Sequence, residues 1–511
     1  MSTHNNISST QNLEVSHAAH ALNSTQREQI ARRAIRGDAP IAHIAQEYGT
    51  SRKFIYQQKG KGLEGISHAF QMQNSDLADE DKIFFHIPVT KKWLMQAVLG
   101  LLFTCRASYQ GVGEFCRDLF DHHICKGTVH NIVYSHLTKA KQINSQQDLS
   151  GVTVGLHDEI YQAGDPVLVG CCAKSTYCYL LDLETSCDAN SWGVHFLDLR
   201  EKQGLVPDFT VIDGGPSARK GQKDAWPEIP ANGDVFHALK PFLEAVKYLE
   251  NRAMSSLKAV DDLTYKLDNL RGKWKEEENK RNLQHKLVKA NEVAKQAVTL
   301  FDELAILYRW LRNDILSLVG PSRADRQELL KFIVQELSSR ESLCQHKIEP
   351  IRKYLENHSD NLLQFVPTME SYFYEIAQEF EVSLDDVLAI YQLKGLPSTS
   401  QKRWEQYTTL RARLGKRFYW IESMVNEILD STVRANSLVE NLNSRLRTYF
   451  TLRRELGNEY LSFLQFFLNH RRFMRSGHPD RVGKSPAELL TGQRHKHWLE
   501  MLGFELFKQA A

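Results

Sequence analysis

Gly151-Val152-Thr153-Val154-Gly155-Leu156-His157-Asp158-Glu159-Ile160-Tyr161 is where the character of the chain changes. Before it, apolar residues recur every three to four positions. Within it they follow a β-type pattern, so the stretch reads as a strand. Gly164-Asp165 reads as a turn, Pro166–Gly170 starts a second strand, and Tyr177–Leu183 makes a third, antiparallel by hairpin spacing. Ser191–Lys202 fits a helix. Phe209–Asp213 is a fourth strand, ended by Gly214-Gly215-Pro216, and Gly233–His237 is a candidate fifth. Three strands, a helix, a strand, a helix and a strand predict a mixed sheet flanked by helices.

Two acids belong to these strands, Asp158 in the first and Asp213 at the end of the fourth. A third, Glu440, lies in Ser437-Leu438-Val439-Glu440-Asn441-Leu442-Asn443, on a predicted helix. Val439, Leu442, Leu446 and Tyr449 give that helix an apolar face, while Glu440, Asn443, Ser444 and Arg447 share a polar one. Such a helix can press on a sheet and aim Glu440 across its edge. Acids at strand positions plus one helix acid are a candidate site for two divalent cations, which perform in-line phosphodiester chemistry. Two rivals stay open. Glu244 follows Asp213 by 31 residues, and Glu159 can replace Asp158 if the register shifts by one. Asp234 and His237 are read as a surface acid and a satisfied core histidine, with secondary groups near the site as the other reading.

With 511 residues the chain predicts two to four domains. At 42% hydrophobic and 25% charged residues it is a globular, not a disordered, composition. The formal charge is only +2, but the ends are basic. Residues 1–62 carry eight Lys/Arg against four Asp/Glu, and residues 440–511 carry twelve against seven, so phosphate contacts are expected there. The N-terminus has no secretory pattern, and the apolar stretch Trp93–Phe103 is too short to span a bilayer. None of the eight cysteines forms a Cys-x-x-Cys pair, which argues against a zinc module and for a reducing cytoplasm, at the nucleoid if bacterial.

Residues 1–20 read as a mobile tail. In 21–65, Asp38-Ala39-Pro40 marks a helix start, with a capping side chain and proline in the first turn. Ala45, Gly49 and Ile55 then have the spacing of a helix-turn-helix, although an αα-hairpin has the same outline. Its second helix carries Arg52, Lys53, Gln57 and Gln58, side chains suited to phosphates and base edges. Residues 66–150 form a second helical module, either DNA-binding or a packing bundle. Residues 151–243 are the first part of the sheet core. Residues 244–430 are helical, and Val260, Leu263, Leu267, Leu270 and Trp274 step like a coiled-coil arm. Trp310, Trp404 and Trp420 are read as helix-core residues, with contacts to DNA ends as the other reading. Residues 431–475 return to the core, and 476–511 form a basic C-terminal tail in which Ser485-Pro486-Ala487-Glu488 matches a capping box. Arg447, Arg471, Arg472 and Arg475 are the expected backbone-phosphate contacts near the Glu440 helix. No glycine-rich phosphate loop occurs, so nucleotide hydrolysis has no support.

In this order the parts resemble the DDE transposases, which have an RNase H-like catalytic core. The resemblance covers the N-terminal helix-turn-helix, the Asp158 and Asp213 strands and the Glu440 helix. It extends to Leu468-Asn469-His470-Arg471-Arg472 and Lys484-Ser485-Pro486-Ala487-Glu488-Leu489-Leu490, like the tail of many transposases and integrases. It implies a multidomain α/β protein whose RNase H-like mixed-sheet core is interrupted by a large all-α insertion. It further implies Asp158, Asp213 and Glu440 as ligands for magnesium, with manganese able to substitute. The expected partners are double-stranded DNA at element ends and target, joined by a homodimer or larger assembly, with no membrane. The 227 residues between Asp213 and Glu440 depart from an uninterrupted core, and families such as the hAT transposases are similar in carrying a helical insertion there. A structure-selective RNase H-like nuclease and a domesticated, non-catalytic DNA-binding protein are the alternatives.

Overall fold

The computed structural model describes residues 21–71, 87–213, 215–270, 276–453 and 456–507. The expected mobile tail at 1–20, Gly214 and Trp274 lie outside the described residues. The chain is mostly helical with one five-stranded sheet, and it divides into two compact units between Pro88 and Val89.

Among its described residues the first unit has the helices α1 (Ser24–Arg36), α2 (Ile41–Glu47) and α3 (Arg52–Gln71). Asn23 starts α1 with a reciprocal capping box to Gln26. Pro40 occupies the cap of α2, one position before the expected first turn, and no side chain caps it. Ile30, Ala34, Ile44, Ala45 and Ile55 make the small core. Gly49 takes φ +61° in the turn, where Thr50 N–H donates to Ala45 O at 2.8 Å. Gln58 corrects one expectation. It follows Ile55 by three residues, so it shares the inward face and is buried. Arg52, Lys53 and Gln57 remain exposed.

The second unit opens with α4 (Lys91–Leu99), a π-helical segment (Gly100–Thr104), α5 (Tyr109–Phe120) and α6 (Lys126–Ser145). These helices are not a separate module. Val98, Leu102, Phe103, Val112, Val129, Val133 and Leu137 belong to the same core as one face of the sheet.

The sheet contains β1 (Val154–Gln162), β2 (Asp165–Cys172), β3 (Cys178–Leu183), β4 (Phe209–Ile212) and β5 (Ala231–Gly233), with α7 (Ala189–Gln203) and α8 (Pro216–Ala225) between the later strands. Their order is β3-β2-β1-β4-β5. The β1–β2 and β2–β3 pairs are antiparallel, and β1–β4 and β4–β5 are parallel. One face, with Val154, Leu156, Ile160, Phe209 and Val211, packs on the long core above. The other packs Leu168, Tyr179, Leu180 and Ile212 against Trp192, Phe196 and Trp226.

The fifth strand is shorter than expected. Asp234 ends it and caps α9 (Val235–Asp268), its side chain accepting from Phe236 N–H at 2.7 Å, so Val235–His237 is helix. The helical segment therefore begins at 235 rather than 244. α9 and α10 (Glu276–Trp310) pack along each other as a long pair. α11 (Arg323–Arg340), α12 (Gln345–Leu362), α13 (Phe365–Glu379), α14 (Leu384–Leu393), α15 (Gln401–Leu414) and α16 (Arg417–Ser431) follow. Gly233 lets β5 approach α12 closely; a methyl group there would lie 2.9 Å from the backbone of Asn361 and Leu362. Trp310, Trp404 and Trp420 are 43%, 57% and 68% exposed, so none is a core residue as expected.

The chain returns to the sheet through α17 (Ser437–Phe450) and α18 (Asn458–His470). Val439, Leu442, Leu446 and Tyr449 are buried as their spacing predicts. α18 is buried on nearly all sides. α19 (Pro486–Thr491) starts at the Ser485/Glu488 capping box, and α20 (Trp498–Met501) follows. Residues 476–507 are no tail. Ala487, Trp498, Leu499, Leu502 and Phe504 are apolar and buried. Among the described residues, no helix is long and apolar enough to cross a membrane.

Candidate active site

The site begins with strand geometry. β1 and β4 run parallel with His157 opposite Ile212, so Asp158 and Asp213 come next to each other where β4 ends. Alternation puts Asp158 on the face of Leu156 and Ile160. His157 points to the opposite face, where it shares a 2.8 Å hydrogen bond with the Tyr179 hydroxyl and packs on Phe196. Burial pushes His157 down to about 3, so this ring is neutral and structural.

The Asp213 backbone is held by Arg219. Its guanidinium donates to Asp213 O at 3.1 Å, Ile212 O at 2.7 Å, Ala231 O at 3.0 Å and Asn232 O at 3.1 Å. One half-buried side chain thus clamps the ends of β4 and β5. The Asp213 carboxylate accepts from Gly215 N–H at 2.9 Å. A methyl group on Gly215 would sit 3.0 Å from Asp213 Oδ1 and 3.8 Å from Glu159 Oε1, so these two carboxylates border one small space.

Crowding shows in the protonation energetics. Burial, then the neighbouring Asp213 and Glu159 charges, raise Asp158 to about 7. Burial and Asp213 also raise Glu159. His237 opposes this on Asp158. Its hydrogen bond to Asp234, 2.9 Å from Nδ1 to Oδ2, raises it to about 9, helped by the Asp213 and Asp158 charges. Asp234 is fully buried rather than on the surface, and His237 is part-exposed rather than in the core.

The helix that follows the long helical segment brings two asparagines to these strands. Asn443 Nδ2 donates to Asp158 Oδ2 at 2.7 Å. Asn436 Nδ2 donates to His157 O at 2.8 Å, and Asn436 N–H donates to Asp234 Oδ2 at 3.1 Å. Glu440 is four residues after Asn436 and three before Asn443, so the three share one helix face. Both asparagines are buried, whereas Glu440 is half-buried. Asn443, expected on the polar face with Glu440, gives its amide to Asp158. Asn436, just before the helix, has no signal in the sequence that marks it as a partner of Asp234 and His157. Glu244 is exposed on α9, seven residues beyond His237, about 10 Å farther along the helix.

Among the described residues, no three His, Cys, Asp or Glu side chains close into a metal cage. The donor set is nonetheless hard oxygen, and magnesium takes only one or two carboxylates, with water and phosphate completing its shell. The crowded acids fit that requirement.

The basic run after α18 differs from expectation. His470 is buried, and burial pushes it down to about 4. Arg472 is committed to Glu488, at 2.7 Å from Nη2 to Oε1, and donates to His495 O at 2.8 Å. Its Nε and Nη2 are engaged there, so its charge is already paired with a carboxylate, although the side chain stays exposed. Arg471 is half-buried over the Phe467 ring, while Arg475 and Arg447 are exposed. No family model matches the chain, and no curated protein matches it.

Proposed function

We propose that the protein is a DDE-type transposase, a divalent-metal-dependent polynucleotidyl transferase with an RNase H-like core. The observation that carries this reading is the Asn443–Asp158 hydrogen bond. It brings the helix bearing Glu440 back over β1, beside the Asp158–Asp213 pair, after an intervening helical segment. The order of parts along the chain gives independent support.

In this reading Asp158, Asp213 and Glu440 hold magnesium, or manganese in its place. A metal held there would supply activation of the attacking hydroxyl and stabilisation of the entering and leaving oxygens. Asn443 orients Asp158, Arg219 fixes the Asp213 backbone, and His237, held by Asp234, places its positive charge beside the carboxylates. The three-helix unit is a helix-turn-helix that reads element ends through Arg52, Lys53 and Gln57. Arg447, Arg471 and Arg475 neutralise DNA phosphates. Pairing two ends calls for a homodimer or larger assembly on DNA.

The test is a joining assay. A pre-cut element end with a free 3′-hydroxyl is expected to join to a plasmid in magnesium. Cutting without joining would leave a structure-selective nuclease. DNA binding with neither reaction would leave a non-catalytic DNA-binding protein.

Arg52→Ala with Lys53→Ala is expected to weaken binding to element ends by about tenfold or more, from the loss of base and phosphate contacts. Gel shifts on end and random DNA check this. An equal loss on random DNA would mean that both side chains contact phosphate alone.

A further inference from the structure

A second site lies away from the carboxylates. A cleft of about 440 Å³ opens where the first turns of α5, α6 and α18 meet the segment after α17. Its walls are donors and rings: Tyr109, Lys126, His130, Tyr134, Arg453 and Tyr460. The Arg453 guanidinium lies 3.7 Å from the Tyr460 ring centre and 4.5 Å from that of Tyr109. Its Nε and Nη1 are buried and have no hydrogen-bond partner. The Tyr460 side chain is also buried, only 4% of the residue being exposed, and its hydroxyl is equally unpartnered. No acidic side chain lines the cleft among the described residues. The Glu459 carboxylate lies near the Tyr134 hydroxyl, which burial and then this charge raise, and is not part of the lining.

Buried donors without acceptors are costly, and an anion in the cleft relieves that cost. The aromatic side chains narrow the ligand further. His130 and Tyr134 stack with ring centres 3.9 Å apart and expose a flat surface. Inorganic phosphate has no use for such a surface, but a base does. The volume lies in the range of small-ligand sites. We propose that this cleft binds one nucleotide, its phosphate on Arg453 and Lys126 and its base against the His130–Tyr134 pair.

The nucleotide is either free or an unpaired residue of a DNA strand. Geometry permits the second source. The Arg453 carbonyl accepts from Gln162 Nε2 at 2.7 Å, and Gln162 ends β1 four residues after Asp158, about 13 Å along the strand.

The experiment uses the full chain without divalent metal, so it does not depend on carboxylate chemistry. Fluorescence anisotropy follows a labelled single-stranded oligonucleotide, with deoxyadenosine monophosphate and inorganic phosphate as competitors. Lys126→Ala with His130→Ala changes exposed side chains. This variant is expected to weaken oligonucleotide binding about tenfold at an unchanged melting temperature. Arg453→Met is expected to do the same and serves as a second variant. Competition by the nucleotide, at least about tenfold better than by phosphate, identifies a free nucleotide as a ligand. Oligonucleotide binding that the nucleotide does not compete, yet both variants weaken, identifies the strand. Wild-type affinity in both variants, no oligonucleotide binding by the unmodified protein, or equal competition by phosphate overturns the proposal.

Discussion

Asp213→Asn is expected to reduce magnesium-dependent cleavage and joining by about a thousandfold or more, while end binding stays within about twofold. The substitution is conservative where the fold is concerned. Arg219 grips the Asp213 backbone, not its side chain, and the asparagine oxygen can still accept from Gly215 N–H. What disappears is negative charge beside Asp158 and Glu159. The metal-free protein should therefore be no less stable than the unmodified one. The Asp213 charge helps lift Asp158 to about 7, so its removal lets Asp158 fall toward the ordinary carboxylate range. Cleavage of a labelled element end, a gel shift and a thermal melt read the three effects separately. Unchanged magnesium-dependent cleavage would sink the assignment of the site.

Glu440→Gln is expected to lower cleavage by about a hundredfold or more, whereas Glu244→Gln leaves it within about twofold. The contrast follows from two helices. On α17, Asn436 and Asn443 flank Glu440 on one face and touch His157, Asp234 and Asp158. On α9, His237 is the residue electrostatically coupled to Asp158 and Asp213, and Glu244 lies two turns farther on. Asn443→Ala separates orientation from ligation. It removes the amide that positions Asp158 and should cost about ten- to a hundredfold, in the range for residues that orient metal ligands. Initial cleavage rates across a magnesium titration check all three. A reversed result, with Glu244→Gln inactive and Glu440→Gln active, would move the third role to Glu244.

Much of this was legible locally. Apolar runs ending in acids marked β1 and β4, and a 3.6-residue period marked the buried face of α17. The Ser485/Glu488 capping box was readable from four residues. Local reading went astray where one residue had two roles. Asp234 looked like a strand residue but caps α9, so the helical segment starts earlier than expected. Gln58 looked like a base-reading side chain but sits one turn after Ile55 and turns inward. Arg472 looked like a free cation until Glu488, sixteen residues later, was brought against it.

The sequence by itself determined the elements and the kinds of side chain they carry. Periodicity, capping and turn chemistry act over a few residues and need no knowledge of the rest of the chain. Only the tertiary structure decided which acids meet. Asn443 reaches Asp158 across 285 residues, and nothing between them predicts that pairing. Long-range contacts depend on which surfaces of distant elements become complementary once packed. The same packing buried Gln58, engaged Arg472, exposed three tryptophans and left Arg453 without an acceptor.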